Sequence, residues 1–382
     1  MRPVQPPGLL VRRAAPEAVL TVAHDIEPAA LRAEAQVLLA RGDLVGAVSA
    51  YVDALELDPR RREEARRLCM VLGEVGRHAL ARPLEQALER ARQVDYQWRV
   101  LDLRRSRYLD FPRHVHLETM ARCNAACDFC PSSVLKRSGA RMSDDLIDKV
   151  LTDLEDMPRD LSFQVSPYKV NEPFLDVRIF DVLDDIARRL PQASIALTSN
   201  ASALTDKKIA RLAGRPTLGD LFISFNDHRP EVYQQVMQLP YARTLERLDA
   251  LHAAVASGSL DLRVTISRVG DGSPVDDAFR IWVAGRWSAF KVLVMQRGSW
   301  IGQVDTPIGA VPDVGCQRWF ELSITATGEV AHCCMDGQSA WPIGDVRTTH
   351  ALEIYNEPGY RALRELAISR RGVQPCGTCT FY

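Results

Sequence analysis

The chain has 382 residues, 46% hydrophobic and 25% charged, with a formal net charge of -1 at pH 7. That length and apolar share suffice for a substantial core and set an expectation of two to three domains, while the near-cancellation of charge argues against nucleic acid or an anionic membrane as a partner. Nine cysteines are too few for a disulfide scaffold and odd in number, no run approaches the roughly 20 apolar residues of a membrane span, and Met1 to Ala15 lacks the apolar stretch of a secretory signal, so a cytoplasmic location is expected.

Residues 1–26 mix Pro with small residues and read as a lead-in. From Leu31 to about Arg92, Ala, Leu, Val and Glu/Arg recur at three- and four-residue spacings, a helical pattern assigned to a domain over 27–107. Gly42, Ala47, Tyr51, Ala54 and Pro59 are followed 34 residues later by Gly76 and Ala81, so this segment resembles two tetratricopeptide repeats. It reads either as a brace for the next domain or as a groove for a protein partner. Cys69, among Leu68, Met70 and Val71, is expected to be a buried filler.

Beyond Tyr108 short β-like runs alternate with helical stretches, as in a parallel α/β domain over 108–305. Strands are expected at His114–Glu118, Leu161–Val165, Ser194–Thr198, Leu221–Phe225, Leu262–Ser267 and Phe290–Met295. Helices are expected at Asp144–Asp153, Ile179–Leu190, Asp206–Ala213, Pro230–Met237 and Leu245–Ala256. Six such units predict a partial (β/α)6 barrel whose chemistry lies in the loops after the strands.

The loop after the first strand holds Cys123, Cys127 and Cys130 in a C-x3-C-x2-C array. Three thiolates can bind three irons of a four-iron cluster and leave the fourth open to an exogenous ligand. Zinc would want a fourth Cys or His, and His114 and His116 precede the loop rather than extend its spacing. With Phe129 before the last cysteine, this segment resembles the radical S-adenosylmethionine (SAM) superfamily. The resemblance implies SAM on the open iron, an external electron donor such as flavodoxin or ferredoxin, and a 5'-deoxyadenosyl radical that abstracts hydrogen from substrate.

Later segments follow in the order the resemblance implies. Lys169-Val170-Asn171-Glu172-Pro173 is similar to the family's Gly-Glu-Pro segment, with Asn171 in place of glycine and Glu172 implied to meet the SAM amino group. Thr198-Ser199-Asn200 resembles a loop that approaches SAM or substrate, and Ser224 and Asn226 end the next strand at a position implied to touch ribose or carboxylate. Arg268 could pair with the SAM carboxylate or be a solvated surface arginine, and Met295, ahead of Trp300 and Gly302, could pack near adenine or lie in the core.

Cys316, Cys333, Cys334, Cys376 and Cys379 occupy a last domain over 306–382 that resembles the SPASM extension or its shortened twitch form. The resemblance implies one four-cysteine cluster on Cys316, Cys333, Cys376 and Cys379, with Cys334 a substitute ligand and a zinc ribbon the alternative. Adjacent strand residues face opposite ways, so one of the pair should face away from the cluster. Ser323–Thr325 and Glu329–Ala331 read as a small hairpin turning at Thr327-Gly328, Trp341–Val346 as a further family segment, and Ala351–Ala367 as one helix packing through Leu352, Tyr355, Leu363 and Leu366.

The whole predicts an α/β protein: an N-terminal helical cap, a partial radical SAM barrel and a twitch- or SPASM-like domain, carrying SAM and two 4Fe-4S clusters. The reaction expected is oxidation of a sugar- or aminocyclitol-type carbon in a small-molecule substrate. The alternatives are an epimerase with Cys334 as hydrogen donor and a maturase acting on a peptide substrate.

Overall fold

The computed structural model describes residues 27–59, 62–105, 110–159, 161–215, 217–306 and 310–381; the expected lead-in lies outside them. The chain divides into two compact units, Met1–Asp95 and Tyr96–Tyr382.

In the first unit the helices are α1 (Pro28–Ala40), α2 (Leu44–Leu57), α3 (Glu63–Glu74) and the start of α4 (His78–Arg105), which runs on into the second. Gly42 and Gly76, 34 residues apart, end α1 and α3 with φ of +77° and +71°, a conformation that costs glycine little. Small residues then let the helices approach: Ala47 and Ala81 are both completely buried, with Tyr51 beside them in one apolar cluster. Cys69 is only half-buried at the margin of that cluster, not the interior filler expected.

In the second unit β1 (His114–Leu117), β2 (Phe163–Ser166), β3 (Ala193–Ser199), β4 (Leu218–Ser224), β5 (Arg263–Gly270) and β6 (Lys291–Gln296) pair in parallel in chain order. Between them lie α5 (Asp144–Glu155), α6 (Ile179–Arg189), α7 (Asp206–Leu212), α8 (Pro230–Met237), α9 (Tyr241–Ala256) and α10 (Pro274–Arg286). Helix α10 was not expected. Its signal is local: the Ser273 side chain accepts from Val275 N, Pro274 opens the first turn, and Asp276 and Asp277 sit at its positive end.

The expected separate hairpin is part of the main sheet. Strand β7 (Glu321–Ile324) pairs in parallel with β1, and β8 (Glu329–Ala331) and β9 (Pro342–Asp345) continue antiparallel, giving the order β6-β5-β4-β3-β2-β1-β7-β8-β9. Val115 meets Leu322 and Leu117 meets Ile324 in this register, so the pairing buries apolar side chains as it covers the β1 edge. The predicted helix over 351–367 is two, α11 (Ala351–Tyr355) and α12 (Pro358–Leu366), because Pro358 cannot continue α11 and instead starts a turn capped by Glu357. Leu352 and Tyr355 are buried and Leu363 packs partly; the Leu366 side chain is outside the described set.

Alternation separates two faces of the sheet. Val115, Leu117, Phe163, Val165, Leu322 and Ile324 enter the core shared with the helices, so His114, His116, Gln164, Ser166, Glu321 and Ser323 take the other face. This polar inner face leads to the loops that carry the cysteines.

Candidate active site and accessory cysteine pocket

Cys123, Cys127 and Cys130 sit in the loop leaving β1, all half-buried. Burial pushes the thiols of Cys123 and Cys127 up and that of Cys130 up to about 12, and nearby thiols raise Cys127 and Cys130 further. A bound iron cation would relieve both penalties, so the donor set fits a three-cysteine cluster site. The loop is clamped from the far side of the sheet. Trp300 Nε1 donates to the Phe129 carbonyl at 2.9 Å, and Arg297 donates to Asp128 Oδ2 at 3.0 Å and to its carbonyl at 2.6 Å.

The loops after β2 and β3 meet the first cysteine. Asn200 Nδ2 donates to Asn124 Oδ1 at 3.0 Å and lies 3.7 Å from Cys123 Sγ. Glu172, 1% exposed, accepts from Phe174 N at 3.1 Å, Ser199 Oγ at 2.9 Å and Asn200 N at 2.7 Å. Burial nevertheless outweighs these bonds and lifts its carboxyl to about 7. Asn171 Oδ1 accepts from Lys169 N at 2.9 Å, while its buried Nδ2 has no partner among the described residues.

Ser224 and Asn226 are bound to each other: Asn226 Nδ2 donates to Ser224 Oγ at 2.7 Å, and Asn226 Oδ1 accepts from Val269 N at 2.8 Å. With φ of 66°, Asn226 turns the chain out of β4. Its Nδ2 is also 3.0 Å from Met237 Sδ, which Cys127 Sγ approaches at 3.5 Å.

Arg268 is buried and held by protein groups, which removes the solvated-surface reading. Its Nε donates to Asp276 Oδ1 at 2.8 Å and its Nη1 to Asp227 Oδ2 at 2.9 Å and to the Asn226 carbonyl. Two carboxylates therefore meet its charge, and Arg268 ties α10 to the turn after β4. Met295 is 43% exposed, which removes the core reading of this residue.

Two residues that join the site, Glu118 and Lys169, were given no role in the sequence reading. Glu118, fully buried just past β1, accepts from Arg137 Nε at 2.6 Å and Nη2 at 2.8 Å, from Val170 N at 3.3 Å and from Ala326 N at 3.0 Å. It thus fastens the cysteine loop, the loop after β2 and the β7–β8 turn to one carboxylate. Lys169 Nζ donates to the carbonyls of Cys334 at 3.0 Å and Asp336 at 2.7 Å. Their signal was position alone, since ionic residues beside the ends of apolar strands are also ordinary surface residues.

Cys316, Cys333, Cys376 and Cys379, each under 10% exposed, line one pocket with Arg318, Trp319 and Arg370. Trp319 Nε1 donates to Cys376 Sγ at 3.4 Å, and His332 Nε2 lies 3.3 Å from the same sulfur. Burial pushes the Cys333 thiol far up and Cys376 to about 11, so this set too fits a cluster whose iron-sulfur core is cationic. Cys334 is not among the lining residues. Residues 332–335 form bends and a turn rather than a strand, so the expected strand alternation does not govern this pair.

Residues 117–277 match the family model of the radical SAM superfamily, and residues 316–380 match that of an iron-sulfur cluster-binding domain, SPASM. No curated protein matches the sequence. Among solved structures, Streptococcus suis SuiB bound to the precursor peptide SuiA is 13% identical, with 78% of this chain and 75% of that one covered and a TM-score of 0.55. BtrN in complex with AdoMet and 2-DOIA is 16% identical, covering 71% and 94% at a TM-score of 0.46. AdoMet-bound anSMEcpe is 10% identical, covering 68% and 83%, also at 0.46. At such identities the SuiB likeness concerns the fold alone.

Proposed function

We propose that this chain, which belongs to the radical SAM superfamily and carries an SPASM-type domain with SAM and 4Fe-4S clusters as cofactors, oxidises a C–OH carbon of a polyhydroxylated small molecule such as a sugar or aminocyclitol. The observation that carries the reading is the second pocket, where four cysteines leave no iron of a cluster open to substrate and so suit it to receive an electron. Cys123, Cys127 and Cys130 would hold the first cluster. When bound there, the cluster and SAM supply a 5'-deoxyadenosyl radical that removes hydrogen from substrate.

The chain's own residues place the reactants. Glu172 accepts from the SAM amino group while the Ser199 and Asn200 donors hold its carboxyl still, and Asn171 Nδ2 is available to an acceptor of the same ligand. Glu118 and Lys169 keep the three loops and the second cysteine segment in register. Polar groups on the inner sheet face support a hydroxylated substrate: His116 Nε2 lies 3.2 Å from Glu321 Oε2, His114 Nε2 lies 2.8 Å from Ser166 Oγ, and Tyr168 OH accepts from Thr198 Oγ1 at 2.7 Å. Burial lowers His116 to about 3, so it is neutral at physiological pH. An external donor such as ferredoxin or flavodoxin supplies the first electron. Among the described residues no helix is long and apolar enough to cross a membrane, in keeping with action in the cytoplasm.

The test is anaerobic reconstitution with iron and sulfide, expected to give about eight irons, followed by SAM cleavage assays with a dithionite-reduced chain. Replacing Cys123, Cys127 and Cys130 together by Ala should remove about half the iron and abolish cleavage. Substrate oxidation is read as a carbonyl product from a panel of aminocyclitols and amino sugars. Modification of a peptide by an otherwise inactive enzyme would instead establish the maturase reading. A second reading, epimerisation, draws on Cys334, which does not line the accessory pocket and would be available as a hydrogen donor if it ligates no iron. Incorporation of solvent deuterium at an inverted carbon distinguishes it.

A further inference from the structure

Arg370 follows α12 and is 4% exposed. Its Nε donates to the Val314 carbonyl at 3.3 Å, Nη2 to the Gly315 carbonyl at 3.1 Å, and Nη1 to the Phe381 carbonyl. All three nitrogens therefore meet neutral acceptors, and among the described residues no carboxylate pairs with it. This is an unusual state. Burying a guanidinium without an anion carries a large desolvation cost, which neutral carbonyls offset only in part.

The other buried arginines in this unit are compensated. Arg364 donates to Asp110 at 3.1 Å and Arg268 to Asp227 and Asp276; the partly exposed Arg318, on the same pocket as Arg370, donates to Glu321 at 2.6 Å. Among the described residues the anion source that faces Arg370 is the pocket it lines, formed by Cys316, Cys333, Cys376 and Cys379. Four thiolates around a 4Fe-4S cluster carry net negative charge, and the charge grows by one unit on reduction. A fixed cation at this distance from water stabilises the reduced state more than the oxidised one, and so raises the reduction potential.

We propose that Arg370 is the counter-charge of the accessory cluster and raises its reduction potential, biasing it towards accepting an electron. The proposal rests on the reading that the four cysteines hold that cluster. Arg370 is a positioning and tuning residue: it touches neither substrate nor SAM. Trp319 Nε1, donating to Cys376 Sγ, acts in the same sense.

The test is an EPR-monitored redox titration of the reconstituted full chain, wild type against Arg370→Gln and Arg370→Lys. The C123A/C127A/C130A chain identifies the accessory signal. Gln retains hydrogen bonding without charge, and Lys retains charge without the planar fork. For Arg370→Gln the reduced-to-oxidised ratio at fixed potential should fall at least tenfold, a midpoint lower by about 59 mV for a one-electron couple. Arg370→Lys should stay within threefold of wild type. An unchanged midpoint in Arg370→Gln with accessory iron intact would overturn the proposal. So would an equal drop in both variants, or loss of accessory iron in both, since geometry rather than charge would then be at work. If Gln alone loses the iron, retention of iron and midpoint by Lys supports it. Failure of the wild-type chain to bind accessory iron removes instead the cluster reading on which it stands.

Discussion

Glu172 is the residue whose chemistry the tertiary structure alters most. Its carboxyl, raised from 4.5 to about 7, stabilises the fold in its protonated form; that contribution is complete below about pH 4.5 and is lost as pH rises through about 7. The SAM amino group presents N–H donors, which favour the carboxylate as acceptor. Affinity for SAM is therefore expected to rise about tenfold between pH 6 and pH 8, following the ionised fraction of a group titrating near 7. Isothermal titration across that range checks this, with Glu172→Gln expected to bind more weakly at pH 8 and to lose most of the pH dependence. A wild-type affinity flat with pH would remove Glu172 from the SAM amino group.

The neighbouring cysteines Cys333 and Cys334 give a second residue-scale expectation. Only Cys333 lines the accessory pocket. Cys333→Ala should lose accessory iron, whereas Cys334→Ala should keep both clusters and SAM cleavage, as measured by iron content and 5'-deoxyadenosine release. Loss of iron from Cys334→Ala alone would reverse the assignment.

At the scale of elements, the two cysteine-bearing segments press against each other at Gly337. A Cβ there would lie 2.6 Å from Pro131 Cγ, one residue past Cys130, and 2.9 Å from Gln303 Oε1. Arg137 donates to the Gly337 carbonyl as well as to Glu118, so the backbone cannot readily retreat. Gly337→Val is thus expected to destabilise by about 1–3 kcal/mol, the usual range for an overpacked contact, and to lower retention of the first cluster. Urea unfolding of the apo chain and iron content after gel filtration measure the two effects. Full iron retention would show that the cysteine loop adjusts independently of the accessory segment.

For the whole molecule, the division at Asp95 and Tyr96 predicts that damage to the helical unit stays within it. Replacing Gly42 or Gly76 by Ala forces a side chain into a left-handed turn, a cost of about 1 kcal/mol or more for each. Hydrogen exchange should quicken in α1 to α4 while iron content and SAM cleavage stay near wild type. A parallel loss of iron would mean that the repeats are required for the catalytic fold.

The order of the cysteine-bearing and SAM-facing segments was legible in the amino-acid sequence because each depends on local facts: spacing in C-x3-C-x2-C, an acidic residue before a proline, strands that alternate with helices. Strand positions were readable for the same reason, since a buried run between turns is a local pattern. The pairing of β7 with β1 was not, because register between strands about 200 residues apart depends on which apolar side chains coincide after folding. Arg268 carries no sequence mark that separates a ligand-facing cation from one neutralised by Asp227 and Asp276. Nor does Arg370 show, in sequence, that it is buried among carbonyls beside four thiols. The chain by itself determined the kinds of chemical group and their order. Only the tertiary structure decided which charges are compensated and which remain to act, because burial and distance to a partner are properties of the folded whole.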